Sequence, residues 1–176
     1  MLIMDEFVVL IDNEDNRIGL MEKMQAHLQG VLHRAFSVFV FNDNNEMLLQ
    51  QRALSKYHSP GLWTNTCCSH PRDGESYLAA AQRRMMEEMG LQCDMEDKFN
   101  FIYKADVGHG LVEHELDHVF IGRTNQIPVI NKEEVESWRY ASMDEVRHDV
   151  KSHPELYTEW FKIALDRVES YFSMMK

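Results

Sequence analysis

The chain has 176 residues, 44% of them apolar and 27% charged, with 18 basic against 29 acidic side chains and a formal net charge of −11. The length suits a single domain over residues 1–176, with enough chain to bury a core. The acidic balance argues against generic nucleic-acid binding, which needs a basic footprint; no apolar run approaches the ~20 residues that span a bilayer, and MLIMDEFVVL carries no basic leader, so neither a nucleic acid nor a membrane is an expected partner.

In chain order, Phe7–Ile11 reads as a short apolar strand, Asp12–Asn16 as a turn, Arg17–Leu20 as the returning strand and Met21–Leu28 as a short helix. Ala35–Phe41, rich in aromatic and β-branched residues, predicts a buried strand. Asn42–Glu46 turns it into a partner, Met47–Arg52. Leu54–Pro60 reads as loop and Leu62–Cys68 as another strand. Glu75–Met89 predicts the clearest helix, with Leu78, Ala81, Met85 and Met89 on one face and Gly90 as its C-cap. Phe99–Val107 and Leu111–Arg123 predict strands joined through Gly108–Gly110. After Pro128 come a last strand, Glu136–Tyr140, and two closing helices, Met143–Lys151 and Glu155–Phe172. The order is that of an α+β fold.

Four polar constellations carry candidate chemistry. The first is His27, His33 and His70 with Glu113 and Glu115. Strand alternation puts both carboxylates on one face, and two buried acids need cations, protons or a metal to be tolerable. Three imidazoles and two carboxylates suit zinc, manganese or iron(II). The plainer readings stay open: a lone histidine is more often a packed residue, and Glu113 and Glu115 equally suit a solvated strand face. His58, His109, His114, His118, His148 and His153 make no comparable case, and His114 is expected to face away from the two acids.

The second is Cys67-Cys68-Ser69-His70, in which one cysteine would face a cleft and its neighbour the core. With Cys93 these make no even-numbered disulfide framework, so free thiols in a reducing, cytoplasmic setting are expected. The third is the helix bearing Arg83, Arg84, Glu87 and Glu88, either a salt-bridged surface or a cation and phosphate site. The fourth is Arg52 and Lys56, which with Lys23 form either an anion clamp or a solvated loop.

Taken together, Arg52-Ala53-Leu54-Ser55-Lys56, Thr64-Asn65-Thr66-Cys67-Cys68-Ser69-His70-Pro71, Arg83–Gly90, Tyr103-Lys104-Ala105 and Glu113-His114-Glu115 resemble the type 1 isopentenyl-diphosphate delta-isomerases, a branch of the Nudix fold. The resemblance runs from about Lys23 to Trp160. It implies an α/β (α+β) sandwich, a mixed β-sheet flanked by helices. It implies interconversion of isopentenyl and dimethylallyl diphosphate through a tertiary carbocation. Cys68 and Glu115 would exchange protons with the substrate, Tyr103 would assist, and Trp160 would offer a π face to the cation. Lys23, Arg52, Lys56 and Arg84 would hold the diphosphate. His27, His33, His70, Glu113 and Glu115 would hold one divalent metal (manganese, zinc or iron), and Glu88 a magnesium brought with the substrate.

Two positions depart from the Nudix pattern. Arg84 stands where a hydrolase box has glutamate, which favours holding a diphosphate over cleaving it. Ser69 stands where the box begins with glycine, tolerable in extended backbone and strained at positive φ. A Nudix-type diphosphate hydrolase and a non-catalytic metal-binding module are the rival readings. A monomer or weak dimer is the expected state.

Overall fold

In the computed structural model, residues 6–174 are described. The strands are β1 (Phe7–Ile11), β2 (Arg17–Glu22), β3 (His33–Phe41), β4 (Met47–Arg52), β5 (Trp63–Thr64), β6 (Cys67–Ser69), β7 (Met95–Asp106), β8 (Val112–Arg123) and β9 (Val135–Ala141). The helices are α1 (Lys23–Gln29), α2 (Tyr77–Met89), α3 (Met143–Ser152) and α4 (Glu159–Met174), with a single 3-10 turn at Pro154–Leu156. The predicted α+β order is present, with boundaries moved by a few residues.

β3 is the hub of a mixed sheet. It pairs antiparallel with β1, β4 and β6, and parallel with β8. β7 lies antiparallel along β8, and β9 along β4. Alternation along β3 divides the core in two. Phe39 and Phe41 pack with Val119, Ile121 and the α4 residues Trp160, Phe161 and Ala164 on one face. Phe36, Val38 and Val40 pack with Cys67 and the α2 residues Ala80, Ala81, Met85 and Met89 on the other. Burying one such aromatic is worth roughly 1.5–3 kcal/mol, so these two clusters dominate the stability.

Four differences from the sequence reading have physical causes. The buried face of α2 is turned from the one expected: Leu78 is exposed, and Ala80 and Glu88 are buried along with Ala81, Met85 and Met89. α2 begins two residues later than Glu75, because Ser76 is its N-cap and accepts from the Ala79 N–H at 3.2 Å. The single strand expected over Leu62–Cys68 is broken into β5 and β6 by Asn65 and Thr66, whose side chains bind backbone groups that a continuous ladder would have used. The last helix divides at Tyr157–Thr158, where the Thr158 N–H donates to the Trp63 carbonyl instead of continuing a helix.

α2 ends at Gly90, at φ 63° and ψ 28°, as its position predicts. A Cβ there would stand 2.7 Å from the Val129 carbonyl oxygen, so the approach as well as the left-handed backbone requires glycine.

Candidate active site

Strand register builds the centre of the site. Tyr103 on β7 is opposite Glu115 on β8, and Glu115 is opposite His33 on β3. One row across three strands therefore presents a phenol, a carboxyl and an imidazole side by side. Helix α1 adds His27, four residues after Lys23 and so on the same helix face. His70 arrives just beyond β6.

One ligand atom from each of His27, His33, His70 and Glu115 lies within 4.8 Å of the others. Oε1 of Glu115 is 2.9 Å from His70 Nε2, 3.3 Å from His33 Nε2 and 3.8 Å from His27 Nε2. The His33 Nδ1 is 2.8 Å from the Val31 carbonyl, which can only accept, so Nδ1 carries a proton and Nε2 is the nitrogen turned toward the centre. Nε2 of His27 and of His33 are buried and have no hydrogen-bond partner. Buried imidazole nitrogens converging on one point, beside a carboxylate oxygen, fit a divalent cation.

Glu113 stands next to this group rather than in it. The Tyr103 hydroxyl donates to Glu113 at 2.9 Å and to Glu115 at 2.7 Å. Burial, and then the charge of Glu115, push Glu113 well above the ordinary carboxylate range. Burial works the same way on Glu115, but the three histidines outweigh it and hold that carboxyl well below the range.

Cys67 and Cys68 divide as strand alternation predicts. Cys67 packs into the α2-side core. Cys68 lies opposite Ser37 in the β3–β6 pairing and lines a cleft that Glu113, Glu115, His70 and Trp160 also line. Burial pushes its thiol far above the usual range, so it is neutral at pH 7. Ser69 belongs to β6 and is not among the residues at positive φ, so serine is unstrained where the Nudix pattern has glycine.

Trp160 is 3% exposed, and its indole Nε1 donates to Asn65 Oδ1 at 3.2 Å. Asn65 in turn donates to the carbonyls of Val38 and Cys67 at 3.1 and 2.7 Å, which ties the cleft's aromatic wall to the cysteine strand. The cleft's cations are Lys23, Arg52, Lys56 and Arg84. Arg52 lies 5.4 Å from the Trp160 ring centroid and donates to the backbone carbonyls of His58 and Ser59. Glu88 also lines the cleft, 2.5 Å from Arg84 and 2.9 Å from the amide of Gln50. Both pairs anticipated on α2, Arg83 with Glu87 and Arg84 with Glu88, are formed.

The sequence reading set His58 aside, and the structure corrects this. His58 is buried in the cleft wall, 3.4 Å from Glu113 and edge-on to Trp160. Burial, and then Arg52, push it down to about 2, so it sits there neutral. Tyr57 lies 3.0 Å from His27 Nδ1. Neither carried a spacing signal, since both come from irregular backbone. Asp117 did carry one: it continues the alternation of Glu113 and Glu115, is buried, and accepts from Ser37 at 2.8 Å. His114 turns away, 3.1 Å from the Gly30 carbonyl.

The NUDIX domain family matches residues 31–161. The chain is 48% identical to the isopentenyl-diphosphate Delta-isomerase of Pectobacterium atrosepticum over 96% of its own length and 94% of that protein's. It is 47% identical to isopentenyl-diphosphate Delta-isomerase 2 of Aromatoleum aromaticum, covering 97% of this chain and 90% of that one. In fold it is similar to the crystal structure of DR0079 from Deinococcus radiodurans, at a TM-score of 0.78 and 15% identity, covering 92% of this chain and 98% of that one.

Proposed function

The chain belongs to the NUDIX domain family and, within it, to the isopentenyl-diphosphate Delta-isomerases, and on that premise we propose that it interconverts isopentenyl diphosphate and dimethylallyl diphosphate with Cys68 and Glu115 as its proton-exchanging pair. The observation that carries the reading is that Cys68 and Glu115 line one cleft from different strands, with Trp160 beside them and the Tyr103 hydroxyl donating to Glu115. Moving a double bond by one position needs a proton added at one carbon and another removed nearby. A flat alkene between two such groups meets both.

The protonation states suit the task. The buried thiol keeps its proton, while the Glu115 carboxyl is held low and that of Glu113 is raised. One side can give while the other takes, and the reverse reaction exchanges the roles. The Tyr103 hydroxyl bridges the two carboxyls and orients the one that reacts. The intermediate is a tertiary carbocation, and the buried indole of Trp160 offers it a π face worth about 2 kcal/mol when desolvated. That wall also keeps water from quenching the cation to an alcohol.

Lys23, Arg52, Lys56 and Arg84 bind the diphosphate, and Glu88, which lines the same cleft, would hold a magnesium ion brought with it. These contacts act on ground and transition states alike, so their loss chiefly raises KM. His27, His33, His70, Glu115 and the adjoining Glu113 would hold a divalent ion, zinc, manganese or iron, which would favour the ionised carboxylate. The reading extends to a cytoplasmic enzyme with free thiols, working as a monomer or weak dimer. Diphosphate hydrolysis ranks second, because the box position that carries glutamate in hydrolases is Arg84, which pairs with Glu88.

The test is incubation with isopentenyl diphosphate in deuterated water. Deuterium-labelled dimethylallyl diphosphate without phosphate release is expected. Release of phosphate with no allylic product would replace this reading with the hydrolase.

A further inference from the structure

Three of the four cleft cations are engaged by the protein's own carboxylates. Lys23 lies 2.5 Å from Glu6, Arg84 lies 2.5 Å from Glu88, and Lys56 pairs with Glu134. Glu134 differs from the other two acids. Its Oε2 is also 3.4 Å from the Arg84 guanidinium, so one anionic oxygen bridges two cations. Those cations come from different elements, the loop after β4 and helix α2, and Glu134 comes from a third, the turn before β9. An oxygen shared between an ammonium and a guanidinium is how a phosphate oxygen is held.

The backbone of Glu134 is anchored. Its N–H donates to the Asn131 carbonyl at 3.0 Å, and its carbonyl accepts from the Ala53 N–H at 3.0 Å. Among the described residues the side chain's ion pairs are with these two cations, and it is 24% exposed, so it can swing out without moving the turn. Burial raises the carboxyl's affinity for a proton, but Lys56 and then Arg84 outweigh this and keep it ionised.

We propose that Glu134 is an internal stand-in for the substrate's diphosphate: its carboxylate bridges Lys56 and Arg84 and gives up both to a diphosphate that enters the cleft. The inference rests on the reading of this cleft as a diphosphate site and adds to it a residue that sets affinity. A single-charged carboxylate keeps two cations together that would otherwise repel across an open cleft. A diphosphate carries more charge and displaces it, yet must give up part of its binding energy to do so. Glu134 thus lowers affinity, and with it the danger that product stays bound.

The test is binding of inorganic pyrophosphate in magnesium-free buffer, measured by calorimetry on the wild type and on Glu134→Gln. Removing the competing charge should tighten pyrophosphate binding by about five- to ten-fold, the effect of losing one partly screened ion-pair competitor. KM for isopentenyl diphosphate should fall with it while kcat does not rise. Equal or weaker binding in the variant would overturn the proposal and leave Glu134 a brace for the two cations. In the wild type, the carboxyl carbon resonance of Glu134, assigned through the backbone, should move on saturation with pyrophosphate; a stationary resonance would overturn it without recourse to any variant. If pyrophosphate exchanges with Glu134 but no isomerisation occurs, the reaction assignment fails and the exchange stands. If neither protein binds pyrophosphate, either in that buffer or with magnesium restored, the cleft is no diphosphate site and both fall.

Discussion

Adjacent cysteines with opposite fates follow from strand geometry. Cys67 points toward α2 and Cys68 toward Ser37 and the cleft, because successive side chains on β6 face opposite ways. Cys68→Ala and Glu115→Gln should each lower turnover by about two to four orders of magnitude, the usual worth of a positioned proton-transfer group. Both should keep the wild-type circular dichroism spectrum. Cys67→Ser should retain most of the turnover and lose stability instead, since it puts a hydroxyl into a packed apolar cluster. Kinetics of the three variants decide the register: a dead Cys67→Ser beside an active Cys68→Ser would move the reacting thiol by one residue.

The turn between β5 and β6 shows why an element that reads as one strand is two. Thr64, Asn65 and Thr66 are each fully buried polar residues. Asn65 donates to two carbonyls and accepts from both Trp160 and Thr64. Thr66 donates to the Leu48 carbonyl and accepts from the Val40 N–H. Asn65→Ala would orphan several buried groups at once, at about 1–3 kcal/mol for each group left unsatisfied. We expect a loss of roughly 2–4 kcal/mol, read as a lower urea midpoint with an unchanged slope; a loss under about 1 kcal/mol would mean that packing alone holds the turn. The same network marks the limit of what periodicity carries. The strands Phe7–Ile11 and Met47–Arg52 were legible because a short apolar run meets turn residues there. The carboxylates of β8 and the cysteines of β6 were legible because a period of two assigns faces without knowing the partner strand. His58 and Tyr57 were not, because their positions depend on an irregular loop folding back on α1 and α4. Glu134 was not, because its role is a contact between three elements distant in the chain.

At the scale of the molecule, the His/Glu group joins parts of the chain that only the complete fold brings together: α1, the head of β3, the end of β6 and the middle of β8. The same fold buries Glu113, Glu115 and Asp117 along one face of β8. Three buried acids in a row are costly, and burial, followed by the charge of Glu115, raises Asp117 as it does Glu113. A divalent ion at the group would relieve that cost in the native state and would find no equivalent site in the unfolded chain, so its binding would be linked to folding. At a free metal concentration about 100 times the dissociation constant, the linkage is worth about 2.7 kcal/mol. For a chain of this length that corresponds to a rise of about 5–10 °C in Tm. Chelation should therefore lower Tm by that amount, and zinc or manganese should restore it. His33→Ala should remove most of the response, because it takes away an Nε2 that is buried and without a protein partner. A wild-type Tm indifferent to both chelator and added ion would leave no metal centre here, and the three imidazoles would then be packing partners of a neutralised acid pair.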